Sequence, residues 1–373
     1  MFLKVSRSKK GMGAAERILE LEEELRNAQY NKATEHHFGI VKAKIALLRE
    51  KAEKEGTRKK GTGFAVKKSG DATVVLLGFP SVGKSTLLNS ITKAQSKIGA
   101  YEFTTLNVVP GLMEYNFAKI QVLDLPGIIK GAAQGKGRGR EILSIVRNAD
   151  LIMVLIEAKH PEHYHAILKE ISDAGIRINR RKPDIRISKR AKGGIGIGST
   201  VKLTLNKKII QDILKEMKVN NADVIIRSPI DIDALIDAVA GNRQYIPAIT
   251  IVTKTDMVSQ QDREKLEREL KPDLFVSAEQ KLNIDELKEL IFQKLNFIRI
   301  FLKEVNQKPD LDVPMIVRRG TTIADICNKI HRAFIKKFRF AKIWGKSAKF
   351  PGQMFIRLDK ELEDGDIVEI HIS

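Results

Sequence analysis

The chain of 373 residues carries 66 Lys and Arg against 46 Asp and Glu, a formal charge of +20, with 43% hydrophobic and 30% charged residues; this describes a globular chain long enough for two or three cores. The single cysteine, Cys327, excludes an intrachain disulfide and a cysteine-based zinc cluster, and the most apolar run, Leu151 to Ile156, is too short to cross a bilayer. We therefore expect an intracellular, cytoplasmic protein without a secretory signal, whose basic excess favours a polyanionic partner, although high charge also serves solubility alone.

From about Ala14 to Lys54 the apolar residues Ile18, Leu21 and Leu25, then Ile40, Val41, Ile45 and Leu48, recur at helical intervals and predict two amphipathic helices. They read either as a hairpin packed on the next domain or as a partner surface. Arg58-Lys59-Lys60-Gly61-Thr62-Gly63 reads as a basic linker.

The apolar run Thr73 to Leu77 leads into Gly78-Phe79-Pro80-Ser81-Val82-Gly83-Lys84-Ser85-Thr86 and a helix-favouring run that ends near Ile91. Strand, glycine-bounded loop and helix are the context in which backbone N–H groups cradle a phosphate chain, Lys84 sits between the β- and γ-phosphates, and Ser85 offers a hydroxyl to Mg²⁺. A nucleoside triphosphate is the expected ligand. Tyr101 to Thr105 follows in a predicted loop, where Thr105, favoured over Thr104, can ligate Mg²⁺ and bind the γ-phosphate through its N–H. After the predicted strand Lys119 to Leu123, Asp124 stands where it can hold Mg²⁺ through water, and the Gly127 N–H can reach the γ-phosphate.

The gap between the predicted strands Leu151 to Ile156 and Ile249 to Val252 exceeds one helical connection, so an inserted subdomain is expected within it. Its middle, Arg177 to Lys192, is dense in Lys and Arg and suits a phosphate backbone. Gly193, Gly194, Gly196 and Gly198 read as a turn and a strand edge, not as a second nucleotide loop, because no strand and helix flank them. Lys207 to Met217 and Ile232 to Ala240 predict helices around a strand at Val224 to Ile226. His160, His163 and His165 do not share one helical face and read as a surface helix start rather than a metal cluster.

Thr253-Lys254-Thr255-Asp256 follows a predicted buried strand. The Asp256 carboxylate can accept two hydrogen bonds from guanine N1–H and the 2-amino group, which adenine cannot supply, while the Lys254 stem covers base and ribose. Taken alone, the same residues also fit a strand-to-helix turn capped by Asp256. Ser277-Ala278 can present the Ala278 N–H to guanine O6. Beyond Phe297, Val313 to Val317, Thr321 to Ile330 and Ile367 to Ile372 predict strand, capped helix and strand of a small β-grasp sheet, with Thr322 and Asp325 at the cap. Lys336, Lys337, Arg339, Lys342, Lys346 and Lys349 make this region basic. Trp344 can stack on a base, but packing is the favoured reading.

Gly78 to Thr86, Tyr101 to Leu106, the run from Asp124 through Ala133, Gly135 to Glu141, Asn31 to Gly39 and Trp344 to Lys349 together resemble the developmentally regulated GTP-binding proteins, within the Obg-like GTPases. The resemblance covers nearly the whole chain. It implies an α/β fold: an N-terminal helical segment with the linker (1–70), a P-loop GTPase domain with a mostly parallel sheet (71–296) interrupted by a small α/β subdomain (about 160–242), and a C-terminal TGS domain (297–373). Family members are linked to translation and ribosomes, which implies the ribosome or structured RNA as partner through Arg177 to Lys192 and the TGS domain, and a protein cofactor; no membrane and no DNA specificity are expected. Two departures matter. Thr253 replaces the usual Asn, and Ile128 stands where many GTPases carry a water-orienting Gln. Lys84, Thr105, Gly127 and Mg²⁺ then carry catalysis at a slow intrinsic rate. K⁺ at the phosphate loop is a candidate supplement, although Ser81 replaces its usual Asn ligand; ordering of Ile128 to Arg140 by a partner is the other, with Arg138 and Arg140 near the γ-phosphate or simply solvated. The expectation is a GTP-hydrolysing switch. The alternatives are an RNA-binding scaffold in which GTP is structural, and an ATPase or small-molecule kinase, against which Asp256 argues.

Overall fold

The computed structural model describes residues 13–56, 70–92, 108–126 and 139–373. The chain divides into two compact units, Met1–Phe64 with Gly175–Tyr245, and Ala65–Ala174 with Ile246–Ser373.

In the second unit a six-stranded sheet runs in the order Leu274–Phe275, Ala248–Thr253, Leu151–Glu157, Ala72–Leu77, Ala118–Asp124, Val109–Tyr115. Every pairing is parallel except that of the last edge strand. Parallel strands are covered on both faces and so read as unbroken apolar runs; Ala72–Leu77 and Ala248–Thr253 are buried at every position. Because the strands are parallel, their C-terminal ends share one edge of the sheet, where ligands of open α/β folds bind. Asn116 and Phe117, at φ 47° and 68°, close the single hairpin of this sheet in the doubly left-handed geometry of a two-residue turn.

The same unit holds a mixed five-stranded sheet in the order Met315–Arg318, Phe297–Lys303, Ile367–Ile372, Phe338–Trp344, Gln353–Phe355. One face packs on the helix Ile323–Ile330, burying Ile323, Ile326 and Cys327 against Ile300, Ile343 and Val368. The expected cap is present: Thr322 Oγ1 accepts from the Asp325 N–H at 3.4 Å, and Asp325 returns the bond from the Thr322 N–H at 2.9 Å. Two N–H groups that the first helical turn would leave unpaired are thereby satisfied. Burial pushes the Cys327 thiol up from its ordinary pKa, as expected of an inert core cysteine.

In the first unit the helices Ala14–Asn27 and Glu35–Gly56 meet through Leu21, Val41 and Ile45, residues of the predicted stripes. The buried face of the hairpin packs on the inserted subdomain: Phe38, Ala43 and Ala46 join Ile210, Ile213 and Leu214 in one core. Gly39 permits the approach, since a Cβ there would lie 2.8 Å from Ile213 Cδ1. The insertion itself is a three-stranded sheet, Ile185–Lys189, Ala222–Ile226, Ile195–Ser199, with the predicted helices at Lys207–Glu216 and Ile232–Ala240.

One correction concerns the basic segment. Arg177 is not an available phosphate contact: its Nε and Nη2 donate to the two oxygens of Asp237 at 2.7 and 2.8 Å, and Arg243 adds a third bond to the same buried carboxylate at 3.0 Å. Arg180, Arg181, Lys182, Arg186, Lys189 and Lys192 are exposed. Among the described residues no helix is long and apolar enough to cross a membrane.

Thr322→Ala removes one half of the reciprocal cap and is expected to destabilise the C-terminal sheet domain by about 1 kcal/mol, read as a lowered midpoint in chemical denaturation with an unchanged denaturant slope.

Candidate nucleotide site

The phosphate loop is built by close approach. Gly78 follows the strand Ala72–Leu77, and a Cβ on it would stand 2.8 Å from Val82 Cγ1 and 3.0 Å from the Leu155 carbonyl oxygen. Ser81 and Gly83 take φ 64° and 93°, and the helix Lys84–Ile91 starts directly behind them. A helix that begins there turns its unpaired N–H groups and its positive dipole end into the loop. Lys84 is only 8% exposed, and its Nζ donates to the carbonyls of Phe79 at 3.0 Å and Gly78 at 3.4 Å. Burial lowers its pKa, and the charge of Asp124 acts in the opposite direction. The ammonium is thus held by the loop's own carbonyls.

Asp124 ends the neighbouring strand Ala118–Asp124 and is 6% exposed. Its Oδ2 accepts from Ser85 Oγ at 2.5 Å, while its buried Oδ1 has no hydrogen-bond partner among the described residues. A carboxylate and a hydroxyl, with one oxygen left unsatisfied, form a donor set suited to a hard divalent cation. Thr105, Gly127, Ile128 and Arg138 lie outside the described residues, as does the whole segment Tyr101 to Thr105.

Beside the loop lies a cleft lined by Val82, Gly83, Thr86, Thr253, Lys254, Asp256, Ser277 and Ala278 among others, so the structure brings together three segments that are apart in sequence. Asp256 lies in the short turn Thr255–Met257 after the strand Ala248–Thr253. Lys254 adopts φ 55°, and its Nζ donates to Glu157 Oε1 at 3.0 Å. Thr253 lines the cleft, yet its buried hydroxyl is committed to the backbone, 2.8 Å from the Val82 carbonyl and 3.3 Å from that of Ile156. It therefore ties the phosphate loop to the strands Ala248–Thr253 and Leu151–Glu157. Ser277, 1% exposed, accepts the Gln280 N–H at 3.2 Å and closes a tight turn with Leu282, which fixes the backbone at Ala278.

Sequence reading did not reach two neighbours of the site. Glu157 is the charged end of an otherwise apolar strand, and that break in the run was its signal. His163 stacks on Phe79 of the phosphate loop, with ring centroids 4.1 Å apart and planes inclined by 20°, and His160 lies 5.4 Å beyond. Among the described residues no group of three metal-ligating side chains occurs; the stacking sets His163 against the phosphate loop.

A mostly parallel sheet with a phosphate loop, a carboxylate beside the loop's serine and an aspartate lining the adjoining cleft defines a P-loop GTPase. Family models agree in order: a 50S ribosome-binding GTPase matches residues 73–189, the C-terminal region of that domain 192–297, and a TGS domain 298–372. An uncharacterized GTP-binding protein of Methanocaldococcus jannaschii is 50% identical over 97% of this chain and 94% of its own. GTP-binding protein 1 of Schizosaccharomyces pombe is 46% identical, and developmentally-regulated GTP-binding protein 2 of Homo sapiens 42%, each over 96% of this chain and 99% of its own. The chain belongs to the developmentally regulated GTP-binding protein family. Among solved structures, the FeoB G-domain of Methanococcus jannaschii matches 61% of this chain and 99% of its own at 18% identity and a TM-score of 0.34.

Asp256→Asn exchanges an acceptor pair for a mixed donor and acceptor. GTP affinity is expected to fall by about two orders of magnitude, from the loss of two charge-assisted hydrogen bonds, while xanthosine triphosphate binds better than GTP; competition for a fluorescent nucleotide checks both.

Proposed function

We propose that this protein hydrolyses GTP to GDP and phosphate with Mg²⁺, slowly on its own, and that its two nucleotide states differ in their hold on the ribosome or other structured RNA in the cytoplasm. The observation that carries the hydrolytic reading is the unsatisfied Asp124 oxygen beside the Ser85 hydroxyl. Ser85 and Asp124, with Thr105, are the residues that would hold the ion. Mg²⁺, when bound, offsets the charge on the β- and γ-phosphate oxygens.

The chain's own groups do the rest by position. Lys84 faces the terminal phosphates from its place in the loop, the first-turn N–H groups of the helix Lys84–Ile91 face the phosphate chain, and the Gly127 N–H senses the γ-phosphate. Each is worth more in a water-poor site than in solvent. Ile128 supplies nothing to orient the attacking water, and from this follows the slow intrinsic rate. K⁺ at the loop near Ser81, a protein cofactor, or the ribosome itself are the candidates that complete the site.

The RNA reading is supported by charge. The exposed residues of the insertion, Arg180 to Lys192 without the Asp223-paired Arg190, and the basic TGS region suit a polyanion. If GTP were instead only a structural ligand of an RNA-binding scaffold, nucleotide state would not alter RNA binding.

Lys84→Ala is expected to lose GTP binding or turnover at least about 100-fold, measured by single-turnover hydrolysis with and without K⁺ and ribosomes. In ribosome co-sedimentation, a non-hydrolysable GTP analogue is expected to give stronger association than GDP, with affinity falling steadily on a logarithmic salt scale. Association indifferent to both nucleotide and salt removes the switch and the electrostatic partner together.

A further inference from the structure

Between Gly78 and Lys84 the phosphate loop has few side chains with which to hold its shape. Ser81 takes the left-handed backbone at φ 64°, a conformation that only glycine adopts without strain, and strained backbone persists where its surroundings over-determine it. Toward its end the loop is tied by Val82, whose side chain is buried and whose carbonyl accepts from Thr253 at 2.8 Å. Pro80 and Ser81 are exposed. Phe79 is left to anchor the beginning of the loop, and it does so twice: its carbonyl accepts from the Lys84 ammonium at 3.0 Å, and its ring stacks on His163 at 4.1 Å.

The imidazole is carried by a fixed element. His163 opens the helix His163–Asp173, and Ile167 and Ile171, four and eight positions on, are 0% and 1% exposed. That spacing puts the three residues on one stripe, anchored in the core below the loop. The far end of the helix is held as well, since Arg147 Nε and Nη2 both donate to the Ala174 carbonyl, at 3.1 and 2.6 Å. On the other side of His163 the ring of His160 lies 5.4 Å away with planes inclined by 27°. The Glu162 carboxylate stands 3.1 Å from His160 Nδ1 and 4.0 Å from His163 Nε2, so a column of three rings runs from the helix start to the loop with a carboxylate along its edge.

We propose that His163 is a positioning residue of the nucleotide site: from its fixed helix the imidazole holds the Phe79 ring and, through the carbonyl of that same residue, sets the place of Lys84. Order that the protein supplies need not be supplied by the ligand, so the stack acts on how tightly the β- and γ-phosphates are held. Once they are held, their own bonds to the loop N–H groups fix it, and the rate of the bound state is left alone. His163 acts through Phe79 and touches neither the nucleotide nor a reacting atom. A stacked aromatic pair adds to plain burial an amount that corresponds to roughly two- to tenfold in an equilibrium constant. The ligand's identity rests on the nucleotide reading above, whereas the stack itself does not.

The test titrates the full-length protein with fluorescent GDP and with a fluorescent non-hydrolysable GTP analogue, and follows single-turnover hydrolysis at saturating GTP. His163→Leu keeps the bulk but not the flat face; it is expected to bind both nucleotides about fivefold more weakly, while the single-turnover rate changes by less than about twofold. His163→Phe is expected to restore wild-type affinity. Phe79→Leu is expected to match His163→Leu, and the double variant to be no weaker than either single one, because both remove the same contact. His165→Ala, at an exposed position of the same helix, is expected to bind as the wild type does. Unchanged affinity in His163→Leu, an equal loss in His163→Phe, additive losses in the double variant, or a single-turnover rate that falls in step with affinity overturns the role of His163. If His163→Leu does not fold, Phe79→Leu against Phe79→Tyr makes the same comparison between a lost and a kept ring, and equal affinity in those two overturns it as well. Wild-type protein that takes up no guanine nucleotide defeats the nucleotide reading itself; wild-type uptake with indifferent variants defeats only the stack.

Discussion

An ammonium group buried against two carbonyl oxygens is the constraint from which the nucleotide site follows. Lys84 gives up most of its water to the loop, and two backbone acceptors return only part of what hydration supplied. Burial pushes its proton affinity down while Asp124 holds it up, so the loop carries a charge that an incoming phosphate chain would relieve. Gly78 allows the loop to lie against the neighbouring strand, and Ser81 and Gly83 accept left-handed backbone so that the carbonyls reach the ammonium. A looser loop would admit water and weaken each of these electrostatic effects.

Parallel topology extends that order to the base. Five parallel strand ends meet at one edge, and the hydroxyl of Thr253 bridges two of these strands to the loop itself. Lys254 is tied to the end of the second of these strands, Leu151–Glu157, through Glu157. The cleft lined by Asp256 and the phosphate loop are thereby parts of one sheet edge, and groups fixed in this way need little ordering when a ligand binds.

Local chemistry made most of this legible in the sequence. Gly78 to Ser85 carries strand, loop and helix signals within one short window, and Thr322 with Asp325 is a cap whose two halves are three residues apart. The failures were non-local. Nothing near Arg177 announces Asp237, so a buried ion pair looked like an exposed base in a basic run. The tie made by Thr253 was hidden in the same way, because its carbonyl partners, on the phosphate loop and the adjacent strand, come from distant turns of the chain. The same reason hid the partner of the N-terminal hairpin, whose apolar stripes were plain and whose destination was not.

That hairpin carries a consequence for how the molecule is made. Lys42 meets Asp233 at 2.9 Å across 191 positions of sequence, and Phe38 shares its core with residues of the insertion. At ordinary elongation rates the leading helices wait on the order of 10 s or more for the segment that covers them. During that interval a greasy amphipathic surface is on view in a nascent chain, where a holdase has its best opportunity to engage, and the Gly39 notch means that the late-arriving helix must seat closely before the vigil ends.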